Sequence, residues 1–89
     1  MPNVVATHPV GNMETWLAGG ADRAKLFAPL CKSYRVFLHP NQQRISIHFE
    51  ELDLPAFQKL MQAPESKEAQ LRHTVLEPID MYLESESAR

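Results

Sequence analysis

The sequence predicts an α+β fold: one four-stranded antiparallel sheet with helices on one of its faces. Three observations carry that expectation. Segments with a two-residue apolar repeat alternate along the chain with segments of helical repeat. The two middle strands are joined by the short polar turn His39-Pro40-Asn41-Gln42-Gln43, which makes them a hairpin. The elements then fall in the order β-α-β-β-α-β.

The first strand is Val4-Val5-Ala6-Thr7-His8, a β-prone run closed by Pro9 and Gly11. Asn12 is a good N-cap, with Glu14 and Thr15 in the first turn of the helix that follows. Met13, Trp16 and Leu17 recur at i, i+3 and i+4 and give that helix an apolar face. Gly19-Gly20 weakens it by about 1 kcal/mol per glycine relative to alanine. Helical spacing resumes through Ala24, Phe27 and Ala28, so the segment is one bent helix or two short ones.

Ser33 to Leu38 is the second strand and Arg44 to Glu50 the third. The third sets Ile45, Ile47 and Phe49 on one face and Arg44, Ser46, His48 and Glu50 on the other. Asp53 caps the next helix, with Pro55 tolerated in its first turn and Leu54, Phe57, Leu60 and Met61 as its apolar stripe. Pro64 opens a further helix whose acidic start, Glu65 to Glu68, reads as a solvated first turn. It runs on through Ala69, Leu71 and Val75 until Pro78 ends it. Ile79 to Leu83 alternates as the fourth strand, and Ser85 to Arg89 is expected to be a frayed tail.

This is the pattern of a ferredoxin-like sandwich. Ile45, Ile47 and Phe49, with Ile79, Met81 and Leu83, should face the helices. The opposite face carries Arg35, Phe37, His39, Ser46, His48, Glu50, Asp80 and Tyr82. It is too polar for a dry core, yet Phe37 and Tyr82 are more aromatic than a solvated face requires. Covering it with a second copy would remove apolar area worth about 25 cal/mol per Å² and let charges pair across a two-fold axis. The plainer alternative is an open, wet sheet. A homodimer with Phe37, His48 and Tyr82 at its interface is the expectation.

Composition narrows the class. The 89 residues make one domain, 1–89, small enough that a monomer would be marginally stable. Nine basic against eleven acidic side chains, with no basic cluster, argue against nucleic acid as a partner. No run of about 18 apolar residues suggests a membrane span. The single cysteine, Cys31, excludes an internal disulfide and reads as a small packed side chain. With no secretory leader pattern at Met1 to Val10, a cytoplasmic location is expected.

Several marks along the chain resemble the dimeric α/β-barrel superfamily, in particular small proteins related to the antibiotic-biosynthesis-monooxygenase group. They are His8 leading to Trp16, Ser33-Tyr34-Arg35-Val36-Phe37 with the His39-Pro40-Asn41 turn, and Ile45-x-Ile47-x-Phe49-Glu50. Asp53-Leu54, Pro64-Glu65-Ser66-Lys67-Glu68, Pro78 and Tyr82-Leu83-Glu84 complete the set. Gly19-Gly20 departs from it, falling where related chains keep a firm helix. The resemblance implies a small-ligand pocket between sheet and helices. His8 is then the candidate general base, and Trp16, Tyr34 and Phe49 the candidate ligand-binding residues. The plainer reading makes His8 a strand end and Trp16 a core residue.

Other chemistry is thinly represented. His48 and Glu50 share a strand face, but a metal site wants three or four ligands, so no metal is expected. His39 and His73 read as solvated, while Arg35 and Arg44 either pair with Glu50 or Asp80 or hold an anionic substrate. No glycine-rich phosphate loop or nucleophile elbow is present, and no cofactor is expected. Three functions remain: a binder of a small aromatic or polyketide-like ligand, a cofactor-independent monooxygenase or isomerase with His8 as base, and a non-enzymatic dimer module. A ligand pocket of the usual kind, about 300 Å³ or more, would separate the first two from the third.

Overall fold

The computed structural model describes residues 1–88; the last residue of the expected tail, Arg89, lies outside the described residues. The chain forms β1 (Val4–Pro9), α1 (Met13–Ala18), α2 (Gly20–Phe27), β2 (Ser33–Leu38), β3 (Arg44–Glu50), α3 (Leu54–Gln62), α4 (Pro64–Arg72) and β4 (Asp80–Leu83). The sheet order is β2-β3-β1-β4 and every pairing is antiparallel. Each helical unit of the β-α-β-β-α-β order is therefore two short helices.

Local chemistry explains the breaks. Asn12 is extended, and its Oδ1 accepts the Thr15 N–H at 2.9 Å, which starts α1. Gly19 ends α1 and begins α2. Asp53 Oδ1 accepts the Ala56 N–H at 3.1 Å at the head of α3. Ala63 then takes ψ 145°, the extended conformation that a following proline imposes, and Pro64 opens α4.

Register fixes the two faces. Val4 lies opposite Phe49 and Leu83, Ala6 opposite Ile47 and Met81, and His8 opposite Ile45. These residues share the helix-covered face, and Val4, Ala6, Ile45, Ile47 and Phe49 are all buried there. Phe27 of α2 and Phe57 of α3 meet Phe49 with ring centroids 5.2 Å away in each case. Cys31, half-buried, donates its thiol to the Phe27 carbonyl at 3.5 Å, and burial pushes that thiol's pKa up.

Four expectations about burial are corrected. Met81 and Leu83 are on the helix side but stay exposed, because β4 is an edge strand that the helices do not reach across. Leu17, assigned to the apolar face of α1, is also exposed, as is Leu71 of α4. Ser66 is buried in α4 rather than solvated. His73 is buried as well, since α4 stops at Arg72 and the chain turns inward there.

That inward turn has a visible cause. Thr74 has a positive φ of 58°, which is uncommon for a β-branched residue. Its Oγ1 accepts the Asn12 N–H at 3.0 Å and donates to the Asn12 carbonyl at 3.2 Å. The Gly11 N–H donates to the Thr74 carbonyl at 2.8 Å, and Val75 bridges to Val10. The end of α4 is thereby tied to the start of α1, with the His73 ring set against Gly19.

Candidate functional site

Between sheet and helices lies a chamber of about 60 Å³. Its floor is Ala6, His8, Ile47 and Phe49 of the sheet, and its helical walls include Trp16, Arg23, Phe57 and Ala69. Leu26, Met61 and Gln70, on α2, α3 and α4, are its half-buried walls, so the chamber nears solvent along the seam between the two helical pairs. A water needs roughly 10–15 Å³ of such space, so about four waters or a compact headgroup would fill it. It is far smaller than the roughly 300 Å³ of a drug-sized pocket, so volume alone favours the dimer module over a ligand of ordinary size and leaves room only for a compact one.

His8 and Trp16 come together as the sequence predicts, with ring centroids 6.1 Å apart in an edge-on arrangement. Phe49 lines the same chamber, whereas Tyr34 stands apart from it, half-buried against Phe27 at 5.4 Å and Phe49 at 6.2 Å. The His8 Nδ1 lies 2.8 Å from the Pro9 carbonyl. A carbonyl only accepts, so neutral His8 carries its proton on Nδ1 and keeps Nε2 as the basic nitrogen. Burial lowers the His8 pKa below 6.5; the bond to Pro9 opposes this, and the charges of Arg23 and Arg44 add to it. The ring is held in its neutral form, the form a general base requires.

A pH dependence follows. The unfolded chain protonates His8 near 6.5, and the folded chain does so only at lower pH. The stability gained by keeping the ring neutral is complete above 6.5 and is lost as the pH falls from there toward the folded value. Urea midpoints are expected to fall between about pH 7.5 and 5.5, and to fall less in His8→Asn. Equal drops in both proteins would mean that another group carries the transition.

Sequence reasoning missed Arg23. Its side chain is only 7% exposed, and its guanidinium carbon stacks 3.6 Å above the centroid of the Trp16 ring. Burial pushes its pKa down, with Tyr34 and Asp22 opposing the shift. The neighbouring carboxylate, Asp22, is instead engaged across the helical seam with Arg72 at 3.7 Å and His73 at 3.5 Å. A signal was available: Arg23 sits at i, i+4 from Phe27, on the face that α2 turns to the core.

The uncovered sheet face is a shallow concavity of about 490 Å³, lined in part by Val5, Arg35, His48, Glu50 and Tyr82. Phe37 and Tyr82 are 44% and 58% exposed on it. The Phe37 and His48 rings stack with centroids 4.4 Å apart, and the Arg35 guanidinium carbon lies 5.7 Å from the Phe37 centroid. Glu50 turns to Ser33 Oγ at 3.0 Å and Lys32 Nζ at 3.5 Å rather than to Arg35 or Arg44. Among the described residues no three His, Cys, Asp or Glu side chains gather as metal ligands, and no helix is long and apolar enough to cross a membrane.

No protein-family model and no curated protein matches the sequence. Solved structures do match the fold. An antibiotic biosynthesis monooxygenase superposes with a TM-score of 0.71 at 15% identity, over 99% of this chain and 100% of the other. A protein from Shewanella oneidensis gives 0.63 at 16% identity over 93% and 89%. A candidate antibiotic biosynthesis monooxygenase from Deinococcus radiodurans gives 0.61 at 20% identity over 100% and 97%. The chain thus has the ferredoxin-like α+β fold of the antibiotic biosynthesis monooxygenases, at identities that establish the architecture alone.

Proposed function

We propose that this protein is a homodimer that binds a small oxygen-bearing organic molecule in the chamber beside His8 and Trp16. The observation that carries the reading is the tautomer of His8: a neutral imidazole, fixed by Pro9, at the wall of a mostly apolar space. A ligand hydroxyl or acidic C–H placed there meets a proton acceptor in a low-dielectric setting. The size of the chamber favours a compact molecule, at most a single aromatic ring admitted by outward movement of Leu26 and Met61, over a multi-ring polyketide. The same nitrogen supports a second reading, a cofactor-independent monooxygenase or isomerase that begins by removing a substrate proton to Nε2.

Trp16 is the sole tryptophan, so its fluorescence reports the chamber directly. A panel of phenols, cyclic diketones and short-chain acids is expected to contain members that change the emission saturably, with affinity at least about tenfold weaker in His8→Ala. A panel that leaves the emission unchanged throughout would defeat the ligand-binding reading and favour the dimer module.

The dimer buries the concave face and its two half-exposed aromatics. Sedimentation at micromolar concentration is expected to show about 20 kDa, twice the 10.1 kDa chain. Phe37→Asp places a charge on each side of the two-fold axis and is expected to yield the 10.1 kDa species. A native chain that sediments as a monomer would remove the dimer from the proposal.

A further inference from the structure

The chamber has a polar end that the sheet and helices leave incomplete. Trp16 Nε1 and Arg23 Nη1 are both buried without a hydrogen-bond partner. Arg23 has, in addition, no carboxylate within ion-pair distance among the described residues. A water could satisfy an N–H but brings no negative charge to this largely buried cation, whose compensation within the fold is the Trp16 ring face and the more distant Asp22. Two donors, one of them cationic, sit on stacked side chains that both line the chamber, the guanidinium carbon 3.6 Å from the indole centroid, and such a pair suits an anionic oxygen.

We infer that the ligand is a compact organic acid whose carboxylate is held by Arg23 Nη1 and Trp16 Nε1, with its apolar body lying along Ala6, Phe49 and Phe57. This rests on the chamber being the ligand site, and it specifies the class of molecule taken. The headgroup matches the space: a carboxylate and its first carbons are about the size of the four waters that the chamber would hold. The opposite wall does not compete for that headgroup, since the Gln70 amide donates to Ser66 Oγ at 3.3 Å. Asp22, the nearest acid in sequence, is kept away by Arg72 and His73.

The lone indole N–H gives a single resonance in a proton–nitrogen correlation spectrum and so reads the proposed contact itself. Propionate and benzoate are to be titrated against their neutral isosteres, propionamide and benzamide, into the native chain and Arg23→Gln. The acids are expected to move the indole proton downfield saturably, the amides to bind at least about tenfold more weakly, and Arg23→Gln to abolish that preference. Amides that match the acids in the native chain would overturn the anion inference while leaving the chamber a ligand site. If acids and amides fail while a neutral phenol or diketone shifts the resonance, the anion inference again falls alone. If no compound moves it, both proposals fall. The native acid–amide comparison stands by itself should Arg23→Gln not fold.

Discussion

Phe49→Ala is expected to lower the unfolding free energy by about 3–5 kcal/mol, the usual range for truncating a buried phenylalanine. The ring is 2% exposed in the middle of the covered sheet face. Phe27 and Phe57 reach it edge-on from α2 and α3, and Tyr34 lies beside it on β2. Its removal takes the shared partner from three aromatic contacts and leaves a void that three separate elements would have to close. A domain of this length holds on the order of 5–10 kcal/mol in total, so the variant should be close to unfolding at low concentration. Urea denaturation tests this through a lowered midpoint at unchanged slope. Phe49 was expected to bind ligand, and it does line the chamber. Tyr34→Ala, at a half-buried ring away from the chamber, should cost markedly less and spare binding. A loss of under about 1 kcal/mol in Phe49→Ala would mean that the aromatic cluster is loosely packed.

What could be read from the sequence was local or periodic. The strands, the hairpin, the caps at Asn12 and Asp53 and the two faces of β3 each depend on residues close together in the chain, and all stand in the fold. Periodicity assigned Met81 and Leu83 to the correct face, but it carries no information on how far the helices extend over an edge strand. His73 was unreadable for a different reason. Its burial depends on the left-handed turn at Thr74 and on the two hydrogen bonds between Thr74 and Asn12, a pairing 62 residues apart in sequence. Arg23 shares a helix face with Phe27, which the spacing could have told, but its stacking on Trp16 and the absence of a carboxylate partner among the described residues are properties of packing.

The glycine pair at the break between α1 and α2 divides into one residue whose small size the packing needs and one where it does not. A Cβ on Gly19 would lie 2.5–2.7 Å from three atoms of the His73 ring, closer than real Cβ contacts come. That ring is buried and engaged with Asp22 at 3.5 Å, so it has little room to retreat. The backbone of Gly19, at φ −83°, suits any residue. The lower entropy of the unfolded chain therefore favours Gly19→Ala by about 0.4–1 kcal/mol, while overpacking opposes it by about 1–3 kcal/mol or more. The clash wins, and net destabilisation on the order of 1–2.5 kcal/mol is expected. At Gly20 the atom that such a Cβ would meet is Arg23 Nη2 at 3.8 Å, an ordinary contact. Gly20→Ala should thus stabilise by the entropic amount alone, about 0.4–1 kcal/mol. Thermal unfolding of the two variants is expected to shift in opposite directions, and His73→Ala should relieve the Gly19→Ala defect when the two are combined. Shifts of the same sign would mean that His73 does not pack against Gly19. The seam between the helical pairs would then be free of the close contact that now holds α4 against the helix break, and the chamber beside Trp16 would be wider than its 60 Å³.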